Sequence, residues 1–268
     1  MRLLHQASEP DTGIGSSSLV DHAMLDDVTW LDANWMFLSL FGGILVFIWL
    51  FSSHWPGSLR DKLFNPVWLA YFSASVYSIH QFEEHGYDIF GRRYMFVPVF
   101  NASLGTKFGL QLLPRTVTWI NILAIWVIFP FWGRMATKEN GFYPATLPWG
   151  MAVVNGLTGH LLPFFTNVGE LRYVPGAVQS LFMVPFGLWI LIVVFKKDGL
   201  MLGTVLPLVI GVLFHVVGLQ FPMFFLLSLP EGIRITFFMG LCTLLPLMLA
   251  NNSAFQGMIS KHEIKRQN

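Results

Sequence analysis

Charge is scarce in this 268-residue sequence. Asp, Glu, Lys and Arg make up 12% of it, against roughly 25% in a typical soluble domain. Hydrophobic residues supply 54% and aromatic residues 16%, more apolar surface than a water-soluble core of this size could hide. The shortage excludes an ordinary soluble domain and points to a polytopic membrane protein. Net charge is equally thin, +1 at pH 7, which leaves no electrostatic case for a nucleic-acid partner. Cys242 is the single cysteine, so no intrachain disulfide can form. It lies in the apolar run GLCTLLPLML without a nearby base and reads as a small buried hydrophobe. Residues 1–33 lack the basic and apolar regions of a signal peptide. They carry Glu9, Asp11, Asp21, Asp26, Asp27 and Asp32 and read as an acidic soluble arm, with a short interfacial helix near 24–31. No internal repeat is evident, and nothing points to a second domain.

What the sequence does have is long apolar runs. A spanning helix takes about 20 mostly apolar residues. Seven stretches qualify, at roughly 34–52, 65–85, 115–133, 147–167, 174–195, 200–226 and 232–250. Lipid cannot satisfy open strand edges, so the expected fold is all-α, a transmembrane helical bundle over 34–256 with a basic cytoplasmic tail at 257–268. With the N-terminus outside, the cytoplasmic segments hold Arg60, Lys62, Arg134, Lys138, Lys196, Lys197, Lys261, Lys265 and Arg266. Nine basic residues then lie inside and seven outside, in keeping with the positive-inside rule. The external segment 86–114 dissents, since it carries Arg92, Arg93 and Lys107 and the aromatic-rich GRRYMFVPVF. It reads as a cap or re-entrant piece packed back on the bundle. The ten tryptophans are lipid-facing or packing residues, with Trp30 and Trp35 as interfacial anchors. The expected location is integral to a membrane: the plasma membrane in a bacterium, the endoplasmic reticulum or another endomembrane in a eukaryote. The expected partners are the lipid bilayer and a lipophilic small molecule.

Against this background SVYSIHQFEEHGYD, residues 75–88, is anomalous. At about 100° per residue, Glu84 falls about 40° to one side of His80 and Glu83 about 60° to the other. The three share one helix face, with Tyr77 one turn earlier as a supporting hydroxyl, while His85 projects about 140° away from His80. His160 and His215 also interrupt apolar runs, where ionisable groups are costly and usually face the bundle interior. Counted along spans running in the same direction, His80, His160 and His215 come to a similar depth, ~20–23 Å from the cytoplasmic boundary. Imidazole and carboxylate are ligands for zinc and non-haem iron. The candidate ligand set is therefore His80, Glu83, Glu84, His160 and His215, with Glu83, Glu84 and Tyr77 as candidate catalytic groups. Asn155 diverges from His160 by about 140° on a straight helix. Either a local unwinding permitted by Gly156 and Gly159 joins the two, or those glycines serve close helix packing. Arg92 and Arg93 follow the acidic cluster and could neutralise it or hold an anionic substrate group, although a solvated interfacial loop is the plainer reading.

His80-Gln-Phe-Glu83-Glu84, followed by Asn155…His160 and by Arg172-Tyr173-Val-Pro175-Gly176, resembles the HXXEE family of multi-spanning membrane proteins. The likeness covers about 76–96 and 153–185, and Asn155 and His160 stand one residue further apart here than in that pattern. The resemblance implies a site built on these segments, with Tyr173 as a candidate supporting residue, and implies no particular reaction. Three functions remain open. The first is an iron- or zinc-dependent membrane enzyme acting on a lipophilic small molecule, by oxidation or desaturation with iron or hydrolysis with zinc. The second is a metal-free acid–base isomerase or cyclase of terpenoid or sterol-like substrates. The third is a proton-coupled carrier or lipid-binding protein.

Overall fold

The computed structural model describes residues 28–91, 96–97, 101, 113–136, 141–166, 174–226 and 228–250. The N-terminal arm up to residue 27, the basic tail, Arg92, Arg93, Arg172 and Tyr173 lie outside the described residues. Among the described residues the fold is helical throughout, without strands. Helix α1 is Trp30–Leu50, the short α2 is Leu59–Leu63, α3 is Pro66–His85 and α4 is Pro114–Met135. Helix α5 comprises Leu147–Val154, Asn155–Leu161 and Leu162–Thr166, and α6 is Ala177–Leu200. Helix α7 continues through Met201–Val205, Leu206–Leu213, Phe214–Gln220 and Phe221–Phe224, and α8 is Glu231–Ala250. The seven long helices coincide with the seven apolar stretches of the sequence to within a few residues. By length and composition, Trp30–Leu50, Pro114–Met135 and Ala177–Gly218 are long and apolar enough to cross a membrane. The last of these breaks at Gly199, whose φ of 82° and ψ of 177° separate α6 from α7.

Capping chemistry sets several helix starts. Thr29 and Asp32 form a reciprocal capping box, so α1 begins at Trp30, four residues before its apolar run. Trp35, expected as an interfacial anchor, is instead buried, its ring 5.5 Å from that of His85. Asn65 caps α3 by accepting from the Val67 and Trp68 amides at 3.0 and 3.2 Å, with Pro66 supplying a preset φ in the first turn.

Within the long helices of the described residues, four segments are π-helical: Ala124–Ile128, Asn155–Leu161, Met201–Val205 and Phe214–Gln220. Each is followed within two residues by a proline, respectively Pro130, Pro163, Pro207 and Pro222. A proline inside a helix has no N–H to donate and its ring clashes with the carbonyl four residues back. That carbonyl belongs to Trp126, Gly159, Gly203 and Gly218, all within the widened turns. These four π segments accommodate the prolines that follow them, whereas Pro185 sits inside α6 without one.

Polarity is distributed inside out. Helix α3 buries Ser73, Ser75, Ser78, His80, Gln81, Glu83, Glu84 and His85, whereas α1 exposes Leu38, Phe41, Ile44 and Ile48. Small residues let α1 and α3 approach: Ser75 Oγ donates to the Gly43 carbonyl at 2.9 Å, and the Ser39 and Ser78 hydroxyls lie 3.3 Å apart. Helices α5 and α7 meet through Gly150 and Gly211, where a Cβ on Gly150 would fall 2.1 Å from the Pro207 carbonyl oxygen. Cys242 is buried, with its sulfur 3.7 Å from the Leu213 carbonyl oxygen, as a small core residue would be.

The two ends of the bundle differ. At one end Trp68 donates to the Leu50 carbonyl, Trp189 to the Leu63 carbonyl, and the Lys197 ammonium lies 5.1 Å from the Phe142 ring centroid. Arg60, Lys62, Lys196 and Lys197 belong to this end, as does Arg134 at the close of α4. The acidic and histidine-bearing end of α3 points the opposite way.

Candidate metal centre

Glu84 is the hub of the site. Its Oε1 lies 2.8 Å from His160 Nε2 and 3.5 Å from His80 Nε2, and its Oε2 lies 3.6 Å from His85 Nε2. The His80 and His160 rings stand edge to face with centroids 4.8 Å apart, so α3 and α5 deliver their imidazoles at one depth. Both rings are wholly buried, and Glu84 is 4% exposed. His80, Glu84 and His160 offer ligand atoms within 4.8 Å of one another and could hold a metal ion.

The donor chemistry fits a metal. Neither ring nitrogen of His160 has an aligned hydrogen-bond partner among the described residues, and His80 Nδ1 also lacks one. Buried polar atoms normally have a partner, and a cation beside Glu84 would supply one for His160 Nε2, while His80 Nε2 already meets Asn155 Nδ2 at 3.3 Å. Ligands about 2.0–2.2 Å from a zinc ion stand roughly 3.3–3.6 Å apart. The 3.5 Å separation of His80 and Glu84 has that spacing, whereas the 2.8 Å between His160 and Glu84 must open slightly to admit an ion.

Asn155 joins the site by the unwinding that its glycine-flanked segment allows. Its Nδ2 lies 3.3 Å from Tyr77 Oη and 3.3 Å from His80 Nε2. In a π-helix the repeat runs from i to i+5, so Asn155 and His160, five apart, come to the same face. Pro163 drives this widening, as argued above. Close packing operates too, because a Cβ on Gly156 would fall 2.5 Å from Val184 Cγ2.

Other candidates are placed differently. The Glu83 carboxylate turns to α6, where Oε1 accepts from the Val178 amide at 3.2 Å and Oε2 from the Gln179 amide at 2.7 Å. His215 is half-buried, with Nδ1 2.6 Å from the Gly211 carbonyl oxygen. Neither belongs to the clustered ligand set. Two residues outside the expected set do belong to the site. His85 Nε2 lies 3.6 Å from the second oxygen of Glu84, a contact that a helical wheel of Cα directions does not resolve. Gly176 lies against the pair: a Cβ there would fall 2.8 Å from both Glu84 Cγ and His160 Cε1. The Phe96 ring lies 5.2 Å from that of His85 and 6.3 Å from that of His160, against the cluster.

No family model, no curated protein and no solved structure matches the chain.

Proposed function

We propose that this chain is an integral-membrane metalloenzyme acting on a lipophilic small molecule, with the ion held by His80, Glu84 and His160. One observation carries the reading: a buried carboxylate oxygen faces two imidazoles from different helices, and among the described residues neither nitrogen of His160 has an aligned hydrogen-bond partner. Two histidines and one carboxylate with remaining positions open suit non-haem iron or zinc. When bound, the ion would supply oxidative chemistry if iron and Lewis-acid activation for hydrolysis if zinc. Tyr77 and Asn155 form the adjoining polar wall and would orient a polar group of the substrate. Beside Asn155, the exposed Leu157 and Thr158 offer approach from the bilayer rather than from water. All seven long helices cross the membrane in this reading, with the basic end of the bundle cytoplasmic and the site in the outer half. Kinship with HXXEE proteins belongs to the same proposal, since His80, Glu84, His160 and Gly176 from the shared segments meet in one cluster.

The 2.8 Å contact of Glu84 with His160 favours a second reading, in which an acid–base pair acts without metal on a terpenoid or sterol-like substrate. Product profiling decides between them. The purified protein is incubated with a lipid extract after chelation, then with iron or zinc restored. Product that appears only with metal supports the metalloenzyme, and product that survives chelation supports the acid–base reading. Lipid movement between vesicles without any product would reject both.

A further inference from the structure

Glu83 and Glu84 are neighbours in sequence, yet their carboxylates leave α3 in different directions. Glu84 faces the imidazoles, while Glu83, 5% exposed, receives the Val178 and Gln179 amides. Those amides belong to the first turn of α6, where N–H groups have no partner within the helix and the helix dipole favours negative charge. The N-cap of α6 is Gly176, which makes no side-chain cap hydrogen bond, so a carboxylate from α3 fills that role. Gly176, at φ 89°, is also the residue against which Glu84 and His160 rest.

We propose that Glu83 is a positioning residue of the metal centre. By clamping the first turn of α6 it seats the Pro175–Gly176 turn against Glu84 and His160, and so limits how far His160 can withdraw from the shared carboxylate. The two carboxylates of the motif thereby divide the work, one as ligand and one as clamp. Only glycine serves at position 176, because its positive φ disfavours L side chains and a methyl group there would strike the ligands. The inference rests on the metal reading of the site.

Two measurements on the full-length protein in detergent test it: amide hydrogen exchange over 177–180, and cobalt(II) binding followed by visible absorption. In Glu83→Gln the charge and one acceptor are lost, so exchange at Val178 and Gln179 should rise roughly tenfold or more. Cobalt affinity should weaken about 10–100-fold, the usual effect of removing a group that orients ligands, with one ion still bound. Gly176→Ala should shift the cobalt spectrum and weaken binding while exchange at those two amides stays as in the wild type. Glu84→Gln should abolish binding. The proposal is overturned if Glu83→Gln loses cobalt as completely as Glu84→Gln, which would make Glu83 a ligand. It is equally overturned if exchange stays unchanged, or rises with no change in cobalt affinity. Should the wild type take up no cobalt, the metal reading falls, and the clamp of α6 is decided by the exchange data alone.

Discussion

Glu84 of α3 and His160 of α5 meet at 2.8 Å in the buried interior, although 76 positions separate them in the chain. Removing one member of a buried pair leaves its partner uncompensated, at a cost of about 3–5 kcal/mol. His160→Ala should therefore lower the unfolding free energy by about that amount, measured by equilibrium denaturation in mixed micelles. Glu84→Ala combined with His160→Ala should cost less than the sum of the single changes.

The widened turn at Asn155–Leu161 makes Pro163 a determinant of the site from outside it. Pro163→Ala restores a hydrogen-bond donor and removes the ring clash, allowing the turn to tighten to α geometry. Asn155 then swings off the His160 face and loses His80 and Tyr77. Cobalt affinity should fall about tenfold in Pro163→Ala and by a similar factor in Asn155→Ala, as for loss of a group that supports a ligand. Pro130→Ala, which relieves a π segment carrying none of the clustered ligands, should leave affinity unchanged.

Much of this arrangement is legible in the sequence. The apolar runs mark the seven long helices of the described residues, whose bounds agree with them to within a few residues. Histidines interrupting such runs mark His80 and His160, which do meet. The start of α1 is set by Thr29 and Asp32, a polar capping signal that hydropathy does not register. His85 escapes a helical wheel, since the wheel tracks Cα directions and not the two separate oxygens of Glu84. The placement of Asn155 has a sequence signal in Pro163, eight residues downstream, once the proline's effect on the preceding turn is considered. Glu83 sits on the same face as His80 by the wheel, yet the unsatisfied amides of α6 draw its carboxylate away, a tertiary competition invisible to local pattern. Gly176 likewise becomes part of the site through the packing of α6 on α3 and α5.

Helix packing away from the site is also testable. A methyl group at Gly150 would fall 2.1 Å from the Pro207 carbonyl oxygen, a backbone atom that cannot turn aside. Gly150→Ala should force α5 and α7 apart and cost about 1–3 kcal/mol, as overpacking does. Thermal unfolding checks this, with Gly232→Ala as the control, since nothing lies within 4 Å of a Cβ there.

At the basic end, Asp198 Oδ2 accepts from the Phe142 amide and, at 2.6 Å, from the Tyr143 amide in the connector before α5. Burial, and secondarily the Asp198 charge, push the Tyr143 hydroxyl up to about 12. In Asp198→Ala the negative charge disappears while burial remains. Tyr143 should then ionise at lower pH than in the wild type but still above the ordinary value, read from the ultraviolet difference spectrum during alkaline titration against a Tyr143→Phe control. The lost hydrogen bonds should cost about 1–3 kcal/mol.

The central claim is that His80, Glu84 and His160 hold a metal ion, and metal content tests it most directly. Protein purified without chelator is analysed for iron and zinc by elemental mass spectrometry, beside Glu84→Gln and His160→Ala variants shown to be folded. The account predicts about one ion per chain in the wild type and loss of that ion in both variants. Wild-type protein that is free of metal, and that still turns over its substrate in the presence of chelator, would contradict it.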